Sequence, residues 1–278
     1  EIETLCDIAR PTHGLITNVA PAHLEGFGSI ENIAHEKGAL FRSLGNDGIG
    51  FFNKTDDMIN KISFKGKKIT FGLTSDCDFP ADIYQEEDGT LSLILDAHEI
   101  NTGTHNLSFI KNSIAVSAIA ITLGIDWGIL KRKLMSFTAP PGRCNVKLFN
   151  DVTIIDDTYN ANLASSLAAL DYLNAFSGNG RKILVFGDMF ELGPTSNEQH
   201  RRIGQKCSEL KLDGVYTIGD HAKYTDSAIN NGVNHTHYNS KDNLISSLKK
   251  KIIAGDKILF KGSRGMEMEK VIEGVFDF

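Results

Sequence analysis

The second half of the chain alternates between short apolar runs and longer segments of helical period. The apolar runs predict strands at Lys182–Phe186, Gly214–Ile218 and Lys257–Phe260. The segments between them predict helices near Ser196–Leu210, His221–Asn230 and Ser240–Ala254. Strands that alternate with helices form parallel sheets with right-handed connections, whose helices pack on the faces of the sheet. The pattern therefore predicts an α/β fold with a Rossmann-like, doubly wound and mostly parallel sheet. Ser196 and Gln199 have the spacing of a capping box at the start of the first helix.

The first half of the chain mixes helical and strand periods. Between Lys67 and Ile100 the apolar period falls to two, which predicts a small antiparallel sheet with a hairpin turn at Asp88-Gly89. Ser29 has the position of an N-cap for the helix that follows it. The other elements predicted here are strands at Gly14–Val19 and Ile49–Phe52, and helices at Ile30–Ser43, Ser113–Leu123 and Asp126–Ser136.

A segment that breaks both helix and strand separates the two halves. Thr138-Ala139-Pro140-Pro141-Gly142 combines two prolines with a glycine. We expect two domains, residues 1–139 and 140–278, the second opening on a hairpin at Asn150-Asp151.

Composition excludes several classes of partner. The formal charge of −6 is mild and no block of lysine or arginine occurs, which argues against nucleic acid. The four cysteines are scattered without a C-x-x-C pair, which is typical of free thiols in a reducing compartment. The apolar-rich run Ile114–Ile125 is too short to span a bilayer, so no membrane insertion is expected.

The densest polar segment is Asp156-Asp157-Thr158-Tyr159-Asn160-Ala161-Asn162. It follows the apolar run Val152–Ile155 and precedes a helical run at Ala164–Phe176. In an open α/β sheet, a turn at the carboxyl end of a strand faces the crevice where ligands bind. One aspartate capping the helix would suffice structurally. The additional polar side chains favour a ligand site over a purely structural turn.

Two further polar loops follow predicted strands in the same half. Gly187–Gly193 contains Asp188 and Glu191, with His200 in the next helix, and Lys261-Gly262-Ser263-Arg264-Gly265 precedes the last helix. Basic side chains beside glycine-exposed N–H groups can bind an anion. Glycine-rich surface loops are common, so each loop alone is a weak signal. Arg143, just after the proline-rich break, has a guanidinium suited to phosphate, although a surface ion pair is an equal alternative.

Lys37 interrupts the apolar stripe of the Ser29 helix, where Ile30, Ile33, Leu40 and Phe41 recur at helical spacing. The ordinary explanation is a lysine whose ammonium reaches the surface. The alternative is a desolvated amine with a lowered pKa, which could react with carbon dioxide to form a carbamate. Such a carboxylate would be a hard ligand for Mg²⁺. His23 follows the first predicted strand, and a metal role is one interpretation of it; a hydrogen-bonding surface histidine is the commoner one.

Together these motifs strongly resemble the Mur ligase family, over almost the whole chain. Ile16–Val19 and Ala22–Ser29 resemble the family's central-domain block. The segments that resemble its C-terminal block are Asp156–Asn162, Gly187–Gly193 and Lys261–Arg264. The turn at Asp156–Asn162 points to the branch of the family that adds D-alanyl-D-alanine.

The resemblance implies a cytoplasmic, ATP- and Mg²⁺-dependent amide ligase of peptidoglycan synthesis. Such an enzyme activates UDP-N-acetylmuramoyl-tripeptide as an acyl phosphate, which the amine of D-alanyl-D-alanine then attacks. It implies that Lys37 is the carbamylated lysine and His23 its Mg²⁺-binding neighbour, and that Arg143 and Asp157 contact the ATP phosphates and ribose across closing domains. The remaining implied contacts are Asn112 or Asn106 near adenine, Tyr159, Asn160 and Asn162 around ATP and the dipeptide, and Asp188, Glu191, His200, Lys261, Ser263 and Arg264 toward the dipeptide or a substrate anion.

The chain departs from the family pattern in several places. No G-x-x-x-x-G-K-[ST] loop occurs in the sequence, although the family binds the ATP phosphates with one. We therefore expect a partial central domain, belonging to a longer ligase and inactive by itself. The local departures are Ala39 in place of a usual Glu, about three extra residues in His105–Asn112, and Leu163 in place of Pro.

Two other functions fit parts of the pattern. One is another amide ligase of the superfamily, such as a folylpolyglutamate synthetase, which the Asp156–Asn162 turn and the Gly187–Gly193 loop argue against. The other is a non-catalytic fragment that binds nucleotide or dipeptide without turnover.

Overall fold

A computed structural model describes residues 1–20, 28–86, 90–104, 106–230 and 232–276. The chain divides into two compact units, Glu1–Phe137 and Thr138–Phe278. Within the described residues, no helix is both long and apolar enough to cross a membrane.

The first unit is built on one six-stranded sheet, in the order β1-β2-β3-β4-β5-β6. Neighbouring strands are parallel as far as β4, and the last three strands are antiparallel. Its elements are α1 Ile2–Ala9, β1 His13–Ile16, α2 Ile30–Ser43, β2 Ile49–Asn53, α3 Asp57–Asn60, β3 Lys67–Gly72, β4 Phe79–Gln85, β5 Leu91–Leu95, β6 His98–Thr104, α4 Leu107–Thr122 and α5 Trp127–Met135.

Two apolar clusters stabilise this unit. Ile33 and Phe41 of α2 pack with Phe52 of β2 in one cluster. In the other, Ile110 and Ile114 of α4 pack with strand residues such as Leu93 and Ile100. The predicted antiparallel pairing is confirmed, since Ile83 pairs with Leu93, although Asp88 and Gly89 lie outside the described residues.

The predicted helix at Ile30–Ser43 is confirmed to the residue. Ser29 is its N-cap, because its hydroxyl accepts a hydrogen bond from the Asn32 N–H. The start of the helix predicted at Ser113–Leu123 is wrong. Helix α4 begins at Leu107, six residues before the expected Ser113, because the Asn106 side chain accepts from the Phe109 N–H and caps it there. Strand β1 ends at Ile16, before the expected Val19.

The second unit holds another six-stranded sheet, in the order β11-β10-β9-β12-β8-β7. Every pair is parallel except β7 with β8, the predicted hairpin. Its elements are β7 Asn145–Phe149, β8 Val152–Asp157, α6 Leu163–Ala175, β9 Lys182–Gly187, α7 Ser196–Glu209, β10 Gly214–Ile218, α8 Ala222–Ser227, β11 Asn234–Tyr238, α9 Lys241–Lys251, β12 Lys257–Lys261 and α10 Glu269–Phe276.

Successive strand residues belong to different cores, one on each face of this sheet. Ile155 packs with Leu173 of α6 and Ile203 of α7. Its neighbour Ile154 packs with Leu248 of α9 and Val271 of α10. Because side chains alternate across a strand, helices cover both faces. The predicted doubly wound sheet is confirmed.

The predicted capping box at Ser196 and Gln199 is wrong. A short 3-10 turn at Gly193–Thr195 leads directly into α7, and no side chain caps the N–H groups there. The Gln199 amide instead donates to the Thr195 hydroxyl at 2.8 Å. A capping box is present on α6, where Asn162 and Ser165 bond each other's backbone N–H groups.

Candidate functional site

Strand β12 lies between β8 and β9, so three polar loops begin side by side at the carboxyl ends of these strands. Lys261, the last residue of β12, pairs in register with Asp157, the last residue of β8. The Lys261 Nζ donates to Asp157 Oδ2 at 2.6 Å and to the Asn160 carbonyl at 2.9 Å. The side chains are 2% and 14% exposed, so this is a buried ion pair.

The second carboxylate oxygen of Asp157 extends the network to β7. Asp157 Oδ1 accepts from the Cys144 N–H at 3.1 Å. This bond fixes the backbone directly after Arg143. Asp157 therefore links the end of β8 to the segment that carries the predicted phosphate-binding arginine.

Arg143 stacks on Tyr159, with its guanidinium carbon 3.9 Å from the ring centroid, and both residues are exposed. The Tyr159 N–H donates to the Gly142 carbonyl at 3.0 Å. Gly142 has a φ of 75°, and a Cβ there would lie 3.0 Å from the Tyr159 nitrogen. A glycine is needed at this position both for the left-handed backbone and for the close approach. The stack orients the Arg143 guanidinium at the surface beside the turn.

Asp156 has a different environment from Asp157. It is 8% exposed, and its Oδ1 accepts from the Thr158 hydroxyl at 2.7 Å and from the Thr158 N–H at 3.3 Å. These bonds close the turn locally. Asp157, rather than Asp156, joins the wider network.

The two asparagines of the turn also differ. Asn162 Oδ1 accepts from the Ser165 N–H at 2.8 Å, as the N-cap of α6. The exposed Asn160 accepts from the adjacent Ala161 N–H at 2.9 Å through its side chain. The cap accounts for Asn162 structurally, while Asn160 lies at the surface beside Tyr159.

The Asp188 carboxylate holds the loop after β9 to the start of α8. It is 4% exposed and accepts from three consecutive backbone N–H groups, those of Asp220, His221 and Ala222, at 2.9, 3.0 and 2.6 Å. These bonds use both of its oxygens. The structure thus places Asp188 as an anchor between loops.

His200 of α7 also holds the loop after β9. Its Nε2 accepts from the Met189 N–H at 3.0 Å, and Nδ1 lies 2.8 Å from the Ser196 carbonyl. A carbonyl can only accept, so Nδ1 carries the proton and the ring is a neutral imidazole. Burial lowers the pKa of His200, in keeping with that neutral form.

The loop after β12 has two sides. Ser263 is buried, and its hydroxyl accepts from the Phe190 N–H at 2.8 Å and donates to the Ala161 carbonyl at 3.3 Å. Ser263 and Lys261 therefore tie the three loops together from inside. Arg264 is 60% exposed and pairs with Glu269 at 2.7 Å. Glu191 is exposed, with a φ of 61°.

In the first unit, Lys37 is half-buried and donates from Nζ to the Asn18 carbonyl at 2.9 Å. Burial lowers the pKa of the Lys37 ammonium, while the charge of Asp56 acts in the opposite direction. The lysine is neither fully desolvated nor extended into bulk solvent. A lowered pKa raises the fraction of neutral amine, which is the form that reacts with carbon dioxide.

Sequence reasoning missed Asp56 in the surroundings of Lys37. Its Oδ2 accepts from the Val19 N–H at 2.7 Å, and its Oδ1 accepts from the Met58 and Ile59 N–H groups. It follows the carboxyl end of β2 in a polar loop, so the rule that selected the loops of the second unit would also have found it.

The metal assignment rests on residues that are described only in part. His23, the other residue of the predicted metal pair, lies outside the described residues. No group of three or more His, Cys, Asp or Glu residues with metal-binding geometry occurs in the part of the chain that the structure describes.

One of the two predicted adenine contacts caps helix α4 and the other lies on it. The Asn106 side-chain oxygen caps α4 through the Phe109 N–H. Asn112 is exposed, six residues further along the same helix. The cap gives Asn106 a structural explanation that Asn112 lacks.

Two family models match the chain. The Mur ligase middle domain matches residues 1–120, and the Mur ligase glutamate ligase domain matches residues 142–264. UDP-N-acetylmuramoyl-tripeptide–D-alanyl-D-alanine ligase of Synechocystis sp. is 34% identical over 98% of this chain and 59% of its own length. The Escherichia coli ligase of the same name is 32% identical over 99% of this chain and 62% of its own length.

The fold agrees with a solved structure of the same kind. The crystal structure of MurF ligase from Thermotoga maritima in complex with ADP superposes with a TM-score of 0.86 at 28% identity. That match covers 99% of this chain and 64% of the other. The chain thus spans about three fifths of the length of the curated relatives it matches. From its central and C-terminal domain matches and its fold, the chain belongs to the Mur ligase family.

Proposed function

We propose that this chain is part of an ATP-dependent ligase that adds D-alanyl-D-alanine to UDP-N-acetylmuramoyl-tripeptide through an acyl phosphate. The observation that carries the proposal is the identity of about one third, along almost the whole chain, to ligases of that name. ATP use is supported by the ADP in the Thermotoga maritima complex. Dependence on intracellular ATP makes the cytoplasm the proposed location. Residues 1–139 would be part of the central domain and 140–278 the C-terminal domain.

Arg143 is the proposed phosphate contact. Acyl phosphate formation and its breakdown both gather negative charge on phosphate oxygens, which an oriented cation stabilises. The Tyr159 ring holds the guanidinium by one face and leaves its edge N–H groups available for phosphate oxygens. Tyr159 would therefore act by orienting Arg143.

Asp157 is the proposed ribose contact and Asn112 the proposed adenine contact. A carboxylate accepts hydrogen bonds from vicinal hydroxyls, and Asp157 is held by Lys261 and by the Cys144 N–H. An exposed amide such as that of Asn112 both donates and accepts, as an adenine edge requires. Asn160 is exposed and follows Tyr159 in the same turn as Asp157.

For the dipeptide end of the site we propose fewer contact residues than the six drawn from the sequence. Four of the six expected contacts, Asp188, His200, Lys261 and Ser263, make the hydrogen bonds that hold the loops together. Glu191 and Arg264 are exposed. We propose these two as the side chains that meet the incoming dipeptide or the substrate carboxylate.

Lys37 is the proposed carbamate. The lowered pKa of its amine supports the reaction R–NH₂ + CO₂ → R–NH–COO⁻ + H⁺, and the remaining N–H could still donate to the Asn18 carbonyl. The carbamate and His23 would hold Mg²⁺, which supplies charge stabilisation to phosphoryl transfer. Asp56 stays committed to the backbone N–H groups that it accepts from.

Product analysis of the full-length protein tests the ligase proposal. With ATP, the tripeptide nucleotide and D-alanyl-D-alanine, we expect one adduct, one ADP and one phosphate per turnover. Glutamate addition to a folate would instead support the folylpolyglutamate alternative. Nucleotide binding without any adduct would support the non-catalytic alternative and contradict the proposal.

The carbamate has its own test. ¹³C NMR of the full-length protein in ¹³C-bicarbonate should show a carbamate signal that is absent from Lys37→Ala. We expect the same substitution to abolish dipeptide ligation. Unchanged turnover in Lys37→Ala, or a carbamate signal that persists in it, would remove the role from Lys37.

A further inference from the structure

We infer that Lys261 is a positioning residue for nucleotide binding, which acts through Asp157 rather than by touching a substrate. The inference rests on the proposed function, because it assigns Asp157 to the nucleotide. It replaces the expectation, drawn from the sequence, that Lys261 is the basic head of an anion-binding loop.

The first support is the direction of the Lys261 ammonium. Its side chain is 2% exposed, and Nζ donates to Asp157 Oδ2 and to the Asn160 carbonyl. A buried ammonium is stable only where its charge is paired and its donors find acceptors. One acceptor is the last residue of β8 and the other lies in the turn that follows, so the cation points into the protein and not toward a ligand.

The second support is what these bonds connect. Asp157 accepts from Lys261 with one oxygen and from the Cys144 N–H, next to Arg143, with the other. The same ammonium fixes the Asn160 carbonyl, one residue after Tyr159. One buried cation therefore sets the position of Asp157 directly, and that of the Arg143 and Tyr159 segments through it.

The third support is electrostatic. A carboxylate close to a polyphosphate would repel it, at low dielectric more strongly than in water. Lys261, 2.6 Å from Asp157, offsets this charge, so Asp157 can accept hydrogen bonds from a sugar without adding net negative charge to the site. This role requires the pair, and either partner alone would disturb the site.

A double-mutant cycle in the full-length protein tests the inference, with ADP affinity measured by titration calorimetry. Lys261→Met should weaken ADP binding by about tenfold, the range of coupling in buried ion pairs. In the Asp157→Asn background Lys261→Met should change ADP affinity by less than about twofold, since the carboxylate charge that Lys261 neutralises is already absent. Lys261→Met should also lower the melting temperature more when Asp157 is present than in the Asp157→Asn background. Only with Asp157 present does the substitution leave an unpaired buried carboxylate.

Lys257→Met is the matched control. Lys257 lies on the same strand and is 9% exposed, but at the opposite end, with its ammonium beside Gly178 and Gly180. We expect ADP affinity within about twofold of the parent, as for a substitution without contact to the turn.

The outcomes separate the inference from the proposed function. Equal loss of affinity from Lys261→Met in both backgrounds, or no loss in either, would overturn the positioning role. If Lys261→Met alone does not fold, the ADP affinities of Asp157→Asn and of the double variant are compared instead. Affinities within about twofold of each other support the positioning role. A further tenfold loss in the double variant would mean that Lys261 contacts the ligand directly. A parent protein that binds no ADP would overturn the proposed function before any variant is measured.

Discussion

At the scale of single residues, His200 shows how a side chain that looks catalytic can be structural. Its ring is fully buried between Phe186 and His221, with centroid separations of 6.2 and 5.8 Å. Both nitrogens are engaged, one as donor to Ser196 and one as acceptor from Met189. A second proton would turn the acceptor nitrogen into a donor facing the Met189 N–H. Folding therefore selects the neutral ring.

This selection predicts a pH dependence of stability. The folded-state pKa of His200 is lowered from 6.5 by burial, so the unfolded chain takes up the proton first as pH falls. The contribution of His200 is fully present above about pH 6.5 and is lost as pH falls below it toward the folded-state pKa. We expect urea unfolding of His200→Gln to show a smaller loss of stability between pH 8 and pH 5 than the parent.

The same variant should lose about 2 kcal/mol at pH 8, where the parent has its hydrogen bonds intact. His13→Gln, a change of an exposed ring, is the control and should stay within about 0.5 kcal/mol of the parent at pH 8. An identical pH dependence in parent and His200→Gln would contradict this explanation.

At the scale of elements, the turn after β8 serves as both a helix start and part of the proposed site. Asn162 accepts from the Ser165 N–H, and the Ser165 hydroxyl accepts from the Asn162 N–H. An N-cap of this kind contributes about 1 kcal/mol. We expect Asn162→Ala to lower the free energy of unfolding by about this amount, and Asn162→Asp to retain most of it.

Chemical denaturation of the second unit measures the cap. Asn174→Ala, an exposed change near the other end of the same helix, is the control and should stay within about 0.5 kcal/mol of the parent. If Asn162→Ala is as stable as this control while ADP binding falls, then Asn162 acts on the ligand and not on the helix.

The sequence predicted strands better than helix ends, for a physical reason. An apolar run bounded by polar residues marks a buried strand directly, so Gly214–Ile218 was predicted to the residue. Helix ends depend on which side chain folds back onto an N–H group. Asn106 does so and Ser196 does not, and both are common capping residue types.

The sequence located a polar turn but not the network around it. The density of polar residues at Asp156–Asn162 predicted a ligand site, which stays a prediction, and the structure shows the turn bonded to the loop after β12. The role of Lys261 was missed because its partner Asp157 is 104 residues away in the sequence. Their contact exists because β12 inserts between β8 and β9, and a single sequence does not indicate that strand order.

At the scale of the whole molecule, each unit has its own cores. The second unit carries one apolar cluster on each face of its sheet, built from residues of this unit alone. A chain of this size with two complete cores is expected to fold by itself. Residues 138–278 expressed alone should therefore unfold in a single cooperative transition, followed by circular dichroism in urea. A broad, non-cooperative transition would contradict the independence of the two units.

The central claim is that the end of β8, together with Arg143 just before the neighbouring strand β7, carries the nucleotide side of the site. The most direct measurement is the ADP affinity of the full-length protein with Arg143→Met, compared with Arg202→Met on the exposed face of α7. Loss of a charge-assisted contact to phosphate should weaken ADP binding by about tenfold or more in Arg143→Met, with no change in the control. Parent-like affinity in Arg143→Met would contradict the claim.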